Sequence, residues 1–241
     1  VDLPGHAPAE VPPNFQSIEV EELIHIQAEA ISKISKGKKI TLIGHSAGGF
    51  VTLGIASLYP HLLKRIIAIC PGSHGPVGGF LYPVKLGYER LGSLMPFLQK
   101  AIMTPAFSME LFFRGAVYSQ TDFFARPDIQ EFLKEYHERF QSLDPRLMGI
   151  FLTMFDKCEI RPMLKDVHCP TLVIVGKHDL IIPAYQGAEI ARLIDGARFI
   201  AMEQSGHIPF LEEKEETVSH MLDWLEETND IQKEYSKLAL K

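Results

Sequence analysis

Apolar residues along this chain follow two kinds of spacing, and the change between them divides it into three stretches. From Ser17, the residues Ile18, Val20, Leu23, Ile24, Ala28, Ile31 and Ile34 recur at helical intervals. That spacing predicts an amphipathic helix ending before Gly37. Lys39 to Ile43 reads KITLI, a short apolar run with β-branched residues next to glycine, and predicts a buried strand. A helix is expected from Ala47 to Tyr59, then a strand at Arg65 to Cys70 (RIIAIC), stopped by Pro71 and Gly72. The rhythm resumes with a strand at Thr171 to Val175 (TLVIV), a helix over Ala184 to Ile194, a strand over Ala197 to Met202 and a last helix containing Thr217 to Glu226. Val1 to Leu3 reads as the end of a further strand, and Pro4, Gly5, Pro8, Pro12 and Pro13 as the loop after it. The polar tail after Asn229 is expected to fray.

Strands alternating with helices argue for an α/β fold, with a mostly parallel sheet and helices on both faces. Residues 75–167 lack strand rhythm. They are rich in Phe and Met, and Pro83, Pro96, Pro105, Pro127 and Pro145 break them into short helices. A helical insertion with its own core accounts for this, and so does a cap whose apolar residues line a pocket; the two are compatible. The expected organisation is therefore a core in two parts, residues 1–74 and 168–241, with a helical cap at 75–167.

Composition narrows the function. The 241 residues are 46% hydrophobic and 22% charged, with net charge −6, which suits a globular protein and offers no basic patch for nucleic acid. Cys70, Cys158 and Cys169 are widely spaced and odd in number, so buried thiols are expected rather than a disulfide framework or a zinc site. No apolar run reaches the ~18 residues of a membrane span. No signal-peptide pattern is present, and a cytoplasmic location is expected. The acidic run Glu212, Glu213, Glu215, Glu216 reads as the solvated start of the last helix, favoured by its dipole.

The strand KITLI runs directly into Gly44-His45-Ser46-Ala47-Gly48-Gly49, and a helix follows. This is G-x-S-x-G in the strand–turn–helix context that exposes a strained serine as a nucleophile. Side chains flanking so tight a turn would collide, and Gly44 and Gly48 are expected to remove that collision. Serine needs a base, and the base an orienting acid, following in the order acid then histidine. Asp179 ends the GKHD segment after TLVIV, and His207 ends QSGH after the strand closing at Met202. Both lie at carboxyl ends of parallel strands, where open α/β sheets bind ligands. Ser46, Asp179 and His207 thus form a complete set. His178 is a weaker candidate base, since it would have to double back from the loop of the acid. Asp195 precedes a strand and Glu203 lies too near His207, so neither competes well as the acid. His45 is expected to pack, and His6, His25, His61, His137 and His220 to be surface or satisfied histidines.

These motifs resemble the capped branch of the α/β-hydrolase superfamily, which holds esterases, lactonases, C–C bond hydrolases, haloperoxidases, epoxide hydrolases and haloalkane dehalogenases. Asp2-Leu3-Pro4-Gly5-His6 is similar to that family's D-x-x-G-x-G-x-S segment, with Ala7 for the second glycine and Ala9 for the serine. Cys169-Pro170-Thr171-Leu172 into Gly176 and Asp179 resembles its acid-bearing strand and loop. Ser46 disfavours the epoxide hydrolases and dehalogenases, which use aspartate there. Some relatives carry the acid after the preceding strand, but Cys70-Pro71-Gly72-Ser73 offers none. The resemblance implies an oxyanion hole with one donor from the backbone of Ala47, a small-molecule substrate and no metal or organic cofactor. It also implies eight strands where about five are visible, so strands and a second oxyanion donor are expected upstream of Val1. Hydrolysis of an apolar carboxylic ester is the leading expectation. A lactonase or C–C hydrolase with the same triad, or a slow-turnover receptor on this scaffold, are the alternatives, and oligomeric state is left open.

Overall fold

The computed structural model describes residues 1–238 except Gly5, Ala7, Pro8 and Pro13; the side chains of Phe80 and residues 230–238 are also outside the description. The chain forms an α/β fold. Among the described residues the sheet has four strands, β1 (Ile40–His45), β2 (Leu63–Ile69), β3 (Thr171–Gly176) and β4 (Arg198–Met202), side by side in chain order and all parallel. Period-two alternation sends neighbouring residues of one strand to opposite faces. Val173 and Val175 of β3 therefore join one apolar core with α1 (Val20–Ser35), α2 (Ala47–Leu58) and α9 (Ala184–Leu193). Leu172 and Ile174 join the other, closed by Trp224. Helices thus cover both faces. The first helix ends where expected, with Lys36 and Gly37 both at positive φ.

Two expectations about elements change. Val1 to Leu3 is not a strand: among the described residues no neighbour pairs with it, and the Asp2 carbonyl accepts from the Gln27 side chain at 3.0 Å instead. The sheet is therefore one strand shorter than expected, and β1 lies at its edge. The loop marks at Gly5, Pro8 and Pro13, and the departure at Ala7, fall outside the described residues. After a short α10 (Pro209–Glu212), the last helix, α11 (Lys214–Leu238), continues through the tail expected to fray, while residues 239–241 are outside the description.

Between β2 and β3 the chain makes α3 (Tyr82–Leu91), α4 (Met95–Met103), α5 (Phe107–Ala116), α6 (Gln120–Ala125), α7 (Ile129–Gln141) and α8 (Arg146–Lys157). The prolines open these helices more than they break them. Pro83 and Pro96 sit in the first turns of α3 and α4, and Pro145 caps α8. Met109, Phe113, Phe123, Ile129 and Leu133 form a separate apolar cluster, and that cluster includes Ile208, the residue after His207. The inserted helices are therefore packed directly on the loop that carries the candidate base. No helix among the described residues is long and apolar enough to cross a membrane.

Candidate active site

Ser46 lies between the end of β1 and the start of α2, with φ 54° and ψ −120°. A serine at positive φ is strained, and the surrounding chain has to hold it there. Its N–H donates to the Ile69 carbonyl at 2.8 Å, which anchors the turn to β2. A Cβ at Gly44 would overlap the Gly48 carbonyl and the Thr52 hydroxyl, so this glycine is required as expected. Gly48 differs from expectation. A Cβ there would meet nothing within 4 Å, because the residue faces the cavity and not the turn. Ala47 is the first residue of α2, so its N–H has no intrahelical acceptor.

Parallel β3 and β4 deliver their following loops to the same edge of the sheet. There His207 Nδ1 meets Asp179 Oδ2 at 2.7 Å, both side chains buried. Asp179 Oδ1 accepts from the N–H groups of Ile181 and Ile182 at 2.8 and 2.9 Å. A carboxylate only accepts, so Nδ1 carries the proton and Nε2 is left as a base. Ser46, Ala47 and His207 line one cavity of about 610 Å³, whose other walls are mostly apolar. Among the described residues no hydrogen bond joins Ser46 Oγ to His207.

The competing residues are placed elsewhere. His178 stacks on the Tyr118 ring at 3.6 Å, and Glu203 pairs with Lys177 at 2.6 Å. Neither meets His207 or Ser46. His45 does more than pack. Its Nε2–H donates to the His207 carbonyl at 2.7 Å, and its ring lies 4.8 Å from that of His207. Burial, with His207 beside it, lowers its pKa to about 4, so it is neutral at pH 7. His6 also departs from expectation: it lines the cavity, and its buried Nδ1 has no hydrogen-bond partner.

Glu212 and Glu213 were expected only to be solvated, but both are half-buried and engaged by neighbouring backbone. Glu212 accepts from the N–H of Tyr118 at 2.6 Å and of Gly206 at 2.9 Å; Glu213 accepts from Gln204 N–H at 2.9 Å and the Ser205 hydroxyl at 2.5 Å. The two carboxylates hold the loop that presents His207 and tie it to the end of α5. Their position five and six residues after His207 was the available signal. Cys70 is buried with φ 45°, and burial with the nearby Asp179 carboxylate pushes its thiol well up. His45, Cys70 and His207 bring donor atoms within 4.8 Å of one another and are the residues that could hold a soft metal. Two of them are already engaged, His45 with a carbonyl and His207 with Asp179.

Comparison with known proteins identifies the family. The model of the alpha/beta hydrolase family matches residues 1–220. The chain belongs to that family. It is 24% identical over 227 residues to the pimeloyl-[acyl-carrier protein] methyl ester esterase of Neisseria meningitidis, covering 94% of this chain and 81% of the relative. It is 26% identical over 211 residues to the pyrrolizixenacetamide deacetylase of Xenorhabdus hominickii, covering 84% and 71%. Among solved structures it is similar to the enol-lactonase of Burkholderia xenovorans LB400, with TM-score 0.73, 21% identity and coverage of 93% and 78%. A thermophilic esterase from Thermogutta terrifontis aligns with TM-score 0.70, 23% identity and coverage of 94% and 78%. At these identities the solved structures speak for the fold.

Proposed function

We propose that this member of the alpha/beta hydrolase family is a serine hydrolase that cleaves the carboxylic ester of a small to medium apolar substrate through an acyl-enzyme. The observation that carries this is the buried 2.7 Å bond between His207 and Asp179 at the cavity where Ser46 stands at positive φ. In the mechanism, His207 Nε2 takes the proton of Ser46 as Oγ attacks the carbonyl carbon. Asp179 holds the tautomer and stabilises the imidazolium. The N–H of Ala47 faces the developing oxyanion at the positive end of α2. His207 then protonates the leaving alcohol, and water, activated by the same nitrogen, releases the acid. Residues 75–167 serve as the cap in this reading. The apolar walls suit an apolar acyl or alcohol group, and the Neisseria meningitidis relative is named as a methyl ester esterase.

Kinetics on a panel of simple esters test the assignment. Asp179→Asn and His207→Ala should each lower kcat by roughly 10³-fold or more with little change in KM, because the three groups act as a unit. Near-full activity in Asp179→Asn would contradict the assigned acid.

A further inference from the structure

The outer surface of the inserted helices is apolar where solvent should meet polar groups. α4 is inside out: it buries Pro96 and Gln99, with Gln99 Oε1 accepting from the Tyr88 hydroxyl at 2.5 Å, and exposes Phe97 and Ile102. α5 buries Met109 and Phe113 and exposes Phe107 and Leu111, one turn apart. Of the six most exposed large hydrophobic side chains among the described residues, four are Phe97 at 72%, Phe107 at 69%, and Ile102 and Leu111 at 64%. α4 and α5 are in contact, so the four side chains lie on two neighbouring helices. The inner sides of these two helices supply Met103, Phe112 and Phe113 to the cavity that reaches Ser46. One pair of helices thus separates the proposed active site from an exposed apolar face.

Charge distinguishes the occupants this face would accept. The chain carries −6 overall, yet residues 82–116 hold four basic residues against two acidic ones. Both acids are engaged, Glu89 with Lys85 at 3.4 Å and Glu110 with Arg114 at 2.6 Å, and Lys85 is also paired with Asp156 of α8 at 2.7 Å, which leaves Arg90 and Lys100 as the positive excess. Exposed Arg90 and Lys100 form no ion pair among the described residues. Exposed apolar side chains on helices that also carry unpaired basic residues are what an amphipathic surface presents to anionic lipid headgroups. A second copy docking through the same face about a two-fold axis would set positive charge against positive charge. We propose that the outer face of α4 and α5 docks on an anionic lipid surface, setting the cavity wall against the phase in which an apolar ester partitions. The substrate half of this inference rests on the hydrolase reading; the docking half does not.

Co-sedimentation with vesicles tests it. The purified protein should sediment with phosphatidylcholine vesicles containing about 30% phosphatidylglycerol, and less with phosphatidylcholine alone or in ~0.5 M salt. Phe97→Ser with Phe107→Ser should lower the bound fraction about 10-fold or more through lost apolar insertion. The same variant should keep its melting temperature and its turnover of a water-soluble ester. Wild-type protein that stays in the supernatant, or a variant that sediments like wild type, would overturn the docking. So would a wild-type dimer that the two substitutions dissociate, since a second copy would then cover the face. Vesicle binding without ester turnover would leave the docking standing and remove the hydrolase reading.

Discussion

Glu212 shows how a residue outside the G-x-S-x-G turn can govern its chemistry. Its two oxygens accept from Tyr118 and Gly206, which adds a side-chain tie between the end of α5 and the His207 loop to the direct bond from the His207 N–H to the Ala116 carbonyl at 2.7 Å. Glu212→Ala removes the acceptor of an exposed N–H, Tyr118, which can turn to water, and of a part-buried one, Gly206, at about 1 kcal/mol. Denaturant unfolding should register a loss of that order. Because ~1 Å of misplacement can cost ~10² in rate, kcat should fall more than KM changes. Unchanged kcat in Glu212→Ala would mean the loop is held by other contacts. His45 gives a second handle at this scale. Its folded pKa is about 4 against 6.5 for the free side chain. Between those values the unfolded chain binds a proton that the folded chain refuses, so stability falls as pH drops through this window. The slope from this group is at most about 1.4 kcal/mol per pH unit. His45→Gln, which keeps a donor for the His207 carbonyl, should flatten the fall in melting temperature from pH 6.5 to 4. An identical profile in the variant would remove His45 as its source.

At the scale of elements, what could be read from the sequence was what is local. β1 runs into Ser46 without a gap, and β3 and β4 run into Asp179 and His207 within five residues, so strand pattern and motif reinforced each other. The assignment of Val1 to Leu3 failed because a strand exists only with a neighbour, and pairing is not written in the strand's own residues. Glu212 and Glu213 were hidden for the same reason: their partners are backbone N–H groups, which carry no residue identity. Gly48 matched the motif but not its steric reason. The inserted helices announced their apolar character, yet not which face looked inward; α4 reverses the usual rule. Their inner residues set a further expectation. Each added CH₂ buried in the cavity contributes up to ~0.8 kcal/mol, so kcat/KM across linear acyl esters should rise over the first few carbons and then level or fall. A preference for short charged esters would contradict the apolar wall formed by residues such as Phe112, Phe113 and Phe151.

For the molecule as a whole, a parallel sheet with helices on both faces brings three residues separated by 133 and 28 positions to one edge. The same architecture leaves β1 unpaired on its outer side among the described residues, with Ile43 48% exposed. An apolar strand edge is a pairing template for other chains. The central claim is that this fold exists to make Ser46 nucleophilic, and covalent labelling reads that property with no choice of substrate. A fluorophosphonate probe followed by peptide mapping should modify Ser46 and no other serine, and labelling should disappear in Ser46→Ala and weaken strongly in His207→Ala. Labelling at another serine, or undiminished reactivity in Ser46→Ala, would contradict the account.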